Sequence, residues 1–369
     1  MKVQVLKADF AKILSLACRF VSNRAQLPIL GNLILSAKGN CLTVMSTNLE
    51  ISVVAKLGAK VTTEGELGVP ARTIVDIVSN LGNGPVNLES QEEQLLITTD
   101  SFEGKVSGIN TSDFPKLPQT VEKGIKILAR DLALGLSKVS FSTSMDETRP
   151  ILTGVLFLFN GTKLSLVASD GFRLSKFELT LKESQPEMKI VIPKSAINEL
   201  IKLAGEYGQE FVVDIRQEEN QVVFGIGDVV FSTRTLEGEF PNFEKIIPAN
   251  SLVKVNVDKE EFSRSIKLAA VFAREASNIA KMKLLEKGVE ISAESQKSGN
   301  QKTVVEAKIE GLSGDFEIIF NYRFLEEYVA LVDGGVVDIG FNETNSPGVF
   351  HDLTHPNFLH LIMPVKIQG

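Results

Sequence analysis

Several things are scarce in this 369-residue chain, and each scarcity excludes something. There are two cysteines, Cys18 and Cys41, both in apolar surroundings, so no disulfide framework is available and buried thiols in a reducing compartment are expected. No apolar run approaches the roughly 18–20 residues that a membrane span requires. The first residues, MKVQVLKADF, carry no signal-peptide apolar core, so a cytoplasmic protein without membrane contact is expected. Catalytic signatures are missing as well. No G-x-x-x-x-G-K-[ST] loop and no G-x-S-x-G elbow occurs, and the GIG of Gly225–Gly227 reads as a turn between strands. The three histidines all fall in HDLTHPNFLH (His351, His355 and His360), where Pro356 breaks any helix that would align the first two and no H-E-x-x-H is formed. The chain is therefore expected to have no catalytic residues, no metal and no cofactor.

What is present is repetition. RPILTGVLFL (Arg149–Leu158) has a near copy in LPILGNLILS (Leu27–Ser36). GVPARTIVDIVSNL from Gly68 is answered by VIPKSAINELIKLA from Val191 and, more faintly, by FNYRFLEEYVALV from Phe320. DFAKILSLACRFVS from Asp9 corresponds to DLALGLSKVSFSTS from Asp131 and EFSRSIKLAAVFAR from Glu261, and SDFPKLP to GEFPNFEKIIP. Three tandem units follow, assigned to residues 1–120, 121–250 and 251–369, each of ordinary domain size. With 43% apolar and 23% charged residues, each has the composition of a globular domain.

Within a unit the periodicities agree. Phe10, Ile13, Leu14, Ala17, Cys18 and Val21 share one helical face, and Pro70 and Gly82 bracket a helix over 71–81. Short apolar or alternating runs such as LTVMSTN, LEISVVAKL and VVFSTRTL read as antiparallel strands. Two helices and about eight strands per unit give an α+β class, with helices on one face of the sheets.

The net charge of −7 conceals an uneven distribution. Acids concentrate in loop and strand segments such as ESQEE and RQEEN. Basic residues lie on the proposed helices, among them Arg72, Lys138, Lys194, Lys202, Arg264 and Lys267, with Arg24 in the loop after the first helix. Repeats stacked side by side would make one cationic surface, suited to phosphates and lacking base-reading side chains. A DNA-binding scaffold that encircles nothing fits these residues too, and a solution mass would separate the two.

The combination of LPILGNLIL, VPAR, DFP, RPILTGVLF, SDGFRLS, FPNFEKIIP and the terminal MPVKI resembles the β subunit of bacterial DNA polymerase III, the replicative sliding clamp family, over essentially the whole chain. The resemblance implies a ring-shaped homodimer of six similar domains around duplex DNA, helices lining the hole and antiparallel sheets outside. It implies no chemistry and no base reading. Val106 and Ile109 near an edge strand would meet the helix bearing Val271 and Phe272 of a second chain.

The resemblance also implies a peptide-binding cleft. Its matching residues here are Leu152, Ser169, Gly171, Arg173, Leu174, Pro241, Ile246, Pro347, Leu361, Met363, Pro364 and Val365. The replicative polymerase, clamp loader, translesion polymerases and mismatch-repair proteins would dock there through short segments carrying Gln and spaced Leu or Phe. Three departures stand out: Phe172 where a basic or imidazole side chain is often seen, Pro347 in place of a small polar residue, and the extra Gln368-Gly369.

Overall fold

A computed structural model describes residues 1–22, 27–121, 123–216 and 219–366. The chain packs as two compact units, Met1–Arg130 with Leu203–Thr235, and Asp131–Lys202 with Leu236–Gly369. Six α-helices run among the described residues: α1 (Lys7–Cys18), α2 (Ala71–Asn80), α3 (Ala129–Val139), α4 (Lys194–Tyr207), α5 (Lys259–Ala273) and α6 (Tyr322–Leu331). Apart from short 3-10 turns such as Pro28–Gly31 and Pro150–Thr153, the other regular elements among the described residues are antiparallel strands, in keeping with an α+β class. No helix among the described residues is long and apolar enough to cross a membrane.

The helices begin where local chemistry starts them. The Asp258 carboxylate accepts from Glu261 N at 2.9 Å at the head of α5, and Asn321 Oδ1 accepts from Arg323 N at 3.1 Å at the head of α6. Pro70, which has no N–H to leave unpaired, precedes α2. The apolar stripe of α1 is buried as its spacing requires, with Phe10, Leu14 and Ala17 wholly inaccessible. The helix ends at Cys18, before Val21 can join that stripe.

In the first unit a five-stranded sheet ends at the edge strand Glu103–Ser107, and an eight-stranded sheet joins strands of two repeats. The joint is the pairing of Val229–Arg234 with Ile51–Gly58, Ser232 opposite Ser52. The second unit has one ten-stranded sheet, and its joint is equivalent. The long strand Arg173–Pro193 pairs with His355–Ile362, Leu174 opposite Leu361. Pairing across the repeat boundary is why the packed units do not coincide with the sequence repeats. The second repeat is divided between the units, each neighbour completing its sheet with part of it.

Candidate functional site

The joint in the second unit has an apolar floor made by the paired strands. Leu156, Val167, Leu174, Val191, Val349 and Leu361 form a buried cluster with Phe243. The segment that ends the second repeat straps over it through Leu236, Phe240 and Ile247, with Phe240 edge-on to Phe243 at 6.4 Å. Above this floor three large apolar side chains remain in solvent: Phe172 is 61% exposed, Ile246 45% and Met363 37%. Ordinary core packing leaves single apolar residues exposed; three beside one buried cluster form an apolar patch.

The turn that carries Phe172 is built by its own side chains. Ser169 Oγ donates to Arg173 O at 2.7 Å and accepts from Gly171 N at 3.1 Å. Asp170 Oδ1 accepts from Phe172 N at 2.9 Å and Arg173 N at 3.0 Å. Gly171 has φ +91°, a conformation side chains resist, and the Arg149 guanidinium packs against it 3.0 Å from where a Cβ would sit. The C-terminal segment closes this end. Met363 N donates to Phe172 O at 2.8 Å, and Val365 N to Ile319 O at 2.8 Å. Gly348 lies opposite Ile362, so Pro347 and Met363 follow at the same end of the ladder, with Pro364 half-buried beyond.

Most sequence-selected cleft residues therefore gather at one place, in two different roles. Leu152, Leu174 and Leu361 are nearly inaccessible floor, while Gly171, Pro241, Ile246 and Met363 are exposed. Arg173, expected among the cleft residues, is buried beneath the turn. It is 8% exposed and fully engaged, with Nε on Asp170 Oδ2 at 3.0 Å, one terminal nitrogen on Glu327 at 2.6 Å and the other on Phe141 O at 2.9 Å. Its guanidinium also lies over the Phe324 ring at 4.5 Å. Arg149, overlooked in the sequence, is the more available cation: it is half exposed, with long contacts to Asp146 at 3.5 Å and to the Asp170 carbonyl at 3.4 Å. Its place at the head of the repeated RPIL segment was the signal that could have found it.

The first unit contains a copy of this turn. Thr47 Oγ1 donates to Ile51 O and accepts from Leu49 N, and Asn48 Oδ1 accepts from Glu50 N and Ile51 N. Arg234 N donates to Glu50 O at 2.9 Å, as Met363 N does to Phe172 O. The side chains differ. Glu50 and Arg234 stand where the second unit has Phe172 and Met363, and a hydrogen-bonded Ser52–Ser232 pair replaces Leu174 and Leu361. The copied backbone has a polar lining.

The basic residues divide as well. Arg72, Lys202, Arg264 and Lys267 are exposed on their helices, Lys202 being paired with Glu199 at 2.7 Å. Arg264 and Lys267 line a recess of about 310 Å³ along α5 together with Lys259. Lys194 is half-buried, and burial, with Arg173 adding to it, pulls its ammonium below the usual lysine range. Arg24 lies outside the described residues. Lys138 departs from its expected place among the phosphate-facing cations, being 3% exposed. Its ammonium donates to Asp333 at 2.9 Å, to Asp352 at 3.2 Å and to Leu331 O. A helix residue that looks like one more surface cation in the sequence instead neutralises acids brought to it from the third repeat.

Those acids, with His355, form a cluster whose donor atoms lie within 4.8 Å of one another, and the lysine nitrogen holds the place a cation would take. His355 Nε2 is 2.7 Å from Asp333 Oδ2. His360 is separate and inaccessible, Nδ1 on Ser175 Oγ at 2.8 Å and ring stacked on Tyr328. Burial drives it well below the usual histidine range, so it stays neutral.

Of the expected interface residues, Val106 is buried and Ile109 half-buried, the latter bridging to Gly68. What faces outward is the unpaired edge of strand Glu103–Ser107. On α5, Val271 is 56% and Leu268 47% exposed, with Phe272 half-buried. Both cysteines are free thiols.

Comparison with known proteins agrees with this architecture. The N-terminal, central and C-terminal domain models of the DNA polymerase III beta subunit match residues 1–118, 127–242 and 244–366. The beta sliding clamp of Staphylococcus aureus is 30% identical over 99% of both chains. The DNA polymerase sliding clamp of Bacillus subtilis superposes with a TM-score of 0.93 at 25% identity, each chain fully covered. The sliding clamp of Pseudomonas aeruginosa bound to griselimycin has the same fold, with a TM-score of 0.91 at 24% identity and full coverage of both. Three domain models in order along nearly the whole sequence leave one assignment: the chain belongs to the DNA polymerase III beta subunit family, the beta sliding clamps of DNA replication, and is a clamp rather than an enzyme.

Proposed function

We propose that the chain works as a ring-forming homodimer that encircles duplex DNA, tethers the replicative polymerase and captures other partners through the apolar surface of the second unit. The division into domains 1–120, 121–250 and 251–369 belongs to the same proposal, as does a cytoplasmic location. The observation that carries the partner reading is the Phe172–Ile246–Met363 rim over a buried apolar floor. A short linear segment loses conformational freedom on binding, so its affinity must come from a few side chains entering preformed apolar sites. Each buried Leu or Phe of such a segment contributes roughly 1.5–3 kcal/mol, and two anchors reach the micromolar range. The Pseudomonas aeruginosa clamp bound to griselimycin shows that a protein of this fold holds a ligand. Replicative and translesion polymerases, the clamp loader and mismatch-repair proteins are the partners the reading names.

Non-specific DNA contact by Arg72, Lys202, Arg264 and Lys267 fits side chains that present charge without base-reading geometry. Arg24 is retained with them on sequence grounds, Lys194 as a minor contributor, and Lys138 is not. Dimerisation through the open edge of Glu103–Ser107 and the exposed Leu268–Val271 face of α5 is supported by the unsatisfied backbone of the one and the uncovered apolar surface of the other. The test is calorimetry with a synthetic peptide containing Gln, Leu and Phe. One binding event per chain is expected, and it should be lost in Met363→Asp. Full affinity in that variant would show that the peptide binds elsewhere.

A further inference from the structure

The turn at Thr47–Ile51 shows that the Ser169–Arg173 turn needs no arginine to form. Its copy makes the same side-chain-to-backbone bonds with Ile51 in the place of Arg173. Arg173 therefore does something beyond shaping the turn. Its guanidinium reaches from Asp170, in the turn that carries Phe172, to Glu327 and Phe324 on α6 and to the Phe141 carbonyl just beyond α3. Each of its three nitrogens has an acceptor, and a planar, forked cation with fixed geometry transmits position as well as charge.

We infer that Glu327, on a helix outside the cleft, is a positioning residue for peptide binding: through Arg173 it fixes the Asp170–Phe172 wall against α6 and so sets the width of the apolar site. The inference rests on the peptide-cleft reading. Without Glu327 the guanidinium keeps Asp170, the Phe141 carbonyl and the Phe324 ring but loses its charged partner on the helix, so the turn carrying Phe172 is held less firmly against α6. Met363 N bonds Phe172 O at the end of the ladder in which Arg173 pairs with Ile362. Glu327 is 47% exposed, so its replacement leaves no buried charge of its own and the fold tolerates it. Arg173 is the opposite case, since removing it strands Asp170 and damages folding along with binding.

The experiment is fluorescence anisotropy of a fluorescein-labelled synthetic peptide carrying one Gln, two Leu and one Phe, titrated with the full-length protein. No binding by the unaltered protein overturns the cleft reading and this inference with it. Given binding, Glu327→Gln should weaken affinity about fivefold, with melting temperature and sedimentation unchanged, and Glu327→Asp should recover part of the loss. Asp170→Asn combined with Glu327→Gln should lose no more than Asp170→Asn alone, because both cut one strut. Unaltered affinity in Glu327→Gln, or losses that simply add in the double variant, would overturn the assignment while leaving the cleft in place.

Discussion

The Lys138 ammonium and the Asp352 carboxylate are both out of solvent, so each compensates a burial that neither could sustain alone. Replacing Lys138 with Met strands Asp352, and a loss of about 3 kcal/mol in unfolding free energy is expected, measured by urea denaturation at neutral pH. A change within error would mean that the pair contributes nothing net. The acids also set a pH dependence. Lys138, and after it His355, hold the Asp333 carboxyl below the usual carboxylate range. For Asp352, burial acts upward but is outweighed by the N–H groups of Asp333 and Thr354 and by Lys138, so it too lies low. Groups with depressed native values stabilise the fold above the ordinary carboxylate pKa of about 4 and lose that contribution as pH falls through the native value. Stability should therefore fall below about pH 4, and Lys138→Met should move the acid transition to higher pH. The sequence disclosed none of this. Lys138 sits at helical spacing beside other cations, and its acids lie 195 and 214 residues away.

Among the elements, the strand ending at Ile362 anchors in the sheet, and its extension Met363–Lys366 is one wall of the proposed cleft. Removing residues 363–369 should abolish binding of a Gln- and Leu-containing peptide and leave dimerisation intact, read by calorimetry and sedimentation on the same preparation. Loss of the dimer as well would show that the Val365–Ile319 contact supports more than the cleft. Helix α5 carries the other element-scale expectation. Val271→Ala with Phe272→Ala removes apolar surface worth about 1–3 kcal/mol per side chain if the dimer buries it. The population should then shift toward monomer at micromolar protein, and an unchanged sedimentation profile would remove α5 from the interface. The helices themselves were legible in the sequence, because amphipathic spacing and the proline before α2 are local signals. Which exposed residues matter was less legible, since a floor leucine such as Leu361 and a rim methionine such as Met363 look alike until packing separates them.

For the molecule as a whole, a net charge of −7 combined with cationic helices predicts DNA binding that is weak, indifferent to sequence and governed by salt. Raising salt from about 50 to 200 mM should lower affinity for duplex DNA at least tenfold, and Arg72→Glu with Arg264→Glu should lower loading on primed circular DNA. A sequence preference that survives high salt would contradict this account. The polar lining of the first-unit turn adds a stoichiometric consequence. With Glu50 and Arg234 in place of Phe172 and Met363, one peptide should bind per chain despite two copies of the backbone motif.

By itself the sequence determined the threefold repetition, the α+β class, the positions of the helices and the family, because each is written in local spacing or in motifs that recur along the chain. It also singled out the stretch from Ser169 to Leu174. Tertiary structure alone decided how the second repeat is shared between two packed units, since strand pairing such as Ser232 with Ser52 is a long-range match that no local pattern encodes. It likewise decided which charges are surface and which are structure. Lys138 and Arg173 are ordinary basic residues in the sequence, and only the fold brings Asp352 to the one and Glu327 to the other, converting solvent-facing cations into buried struts.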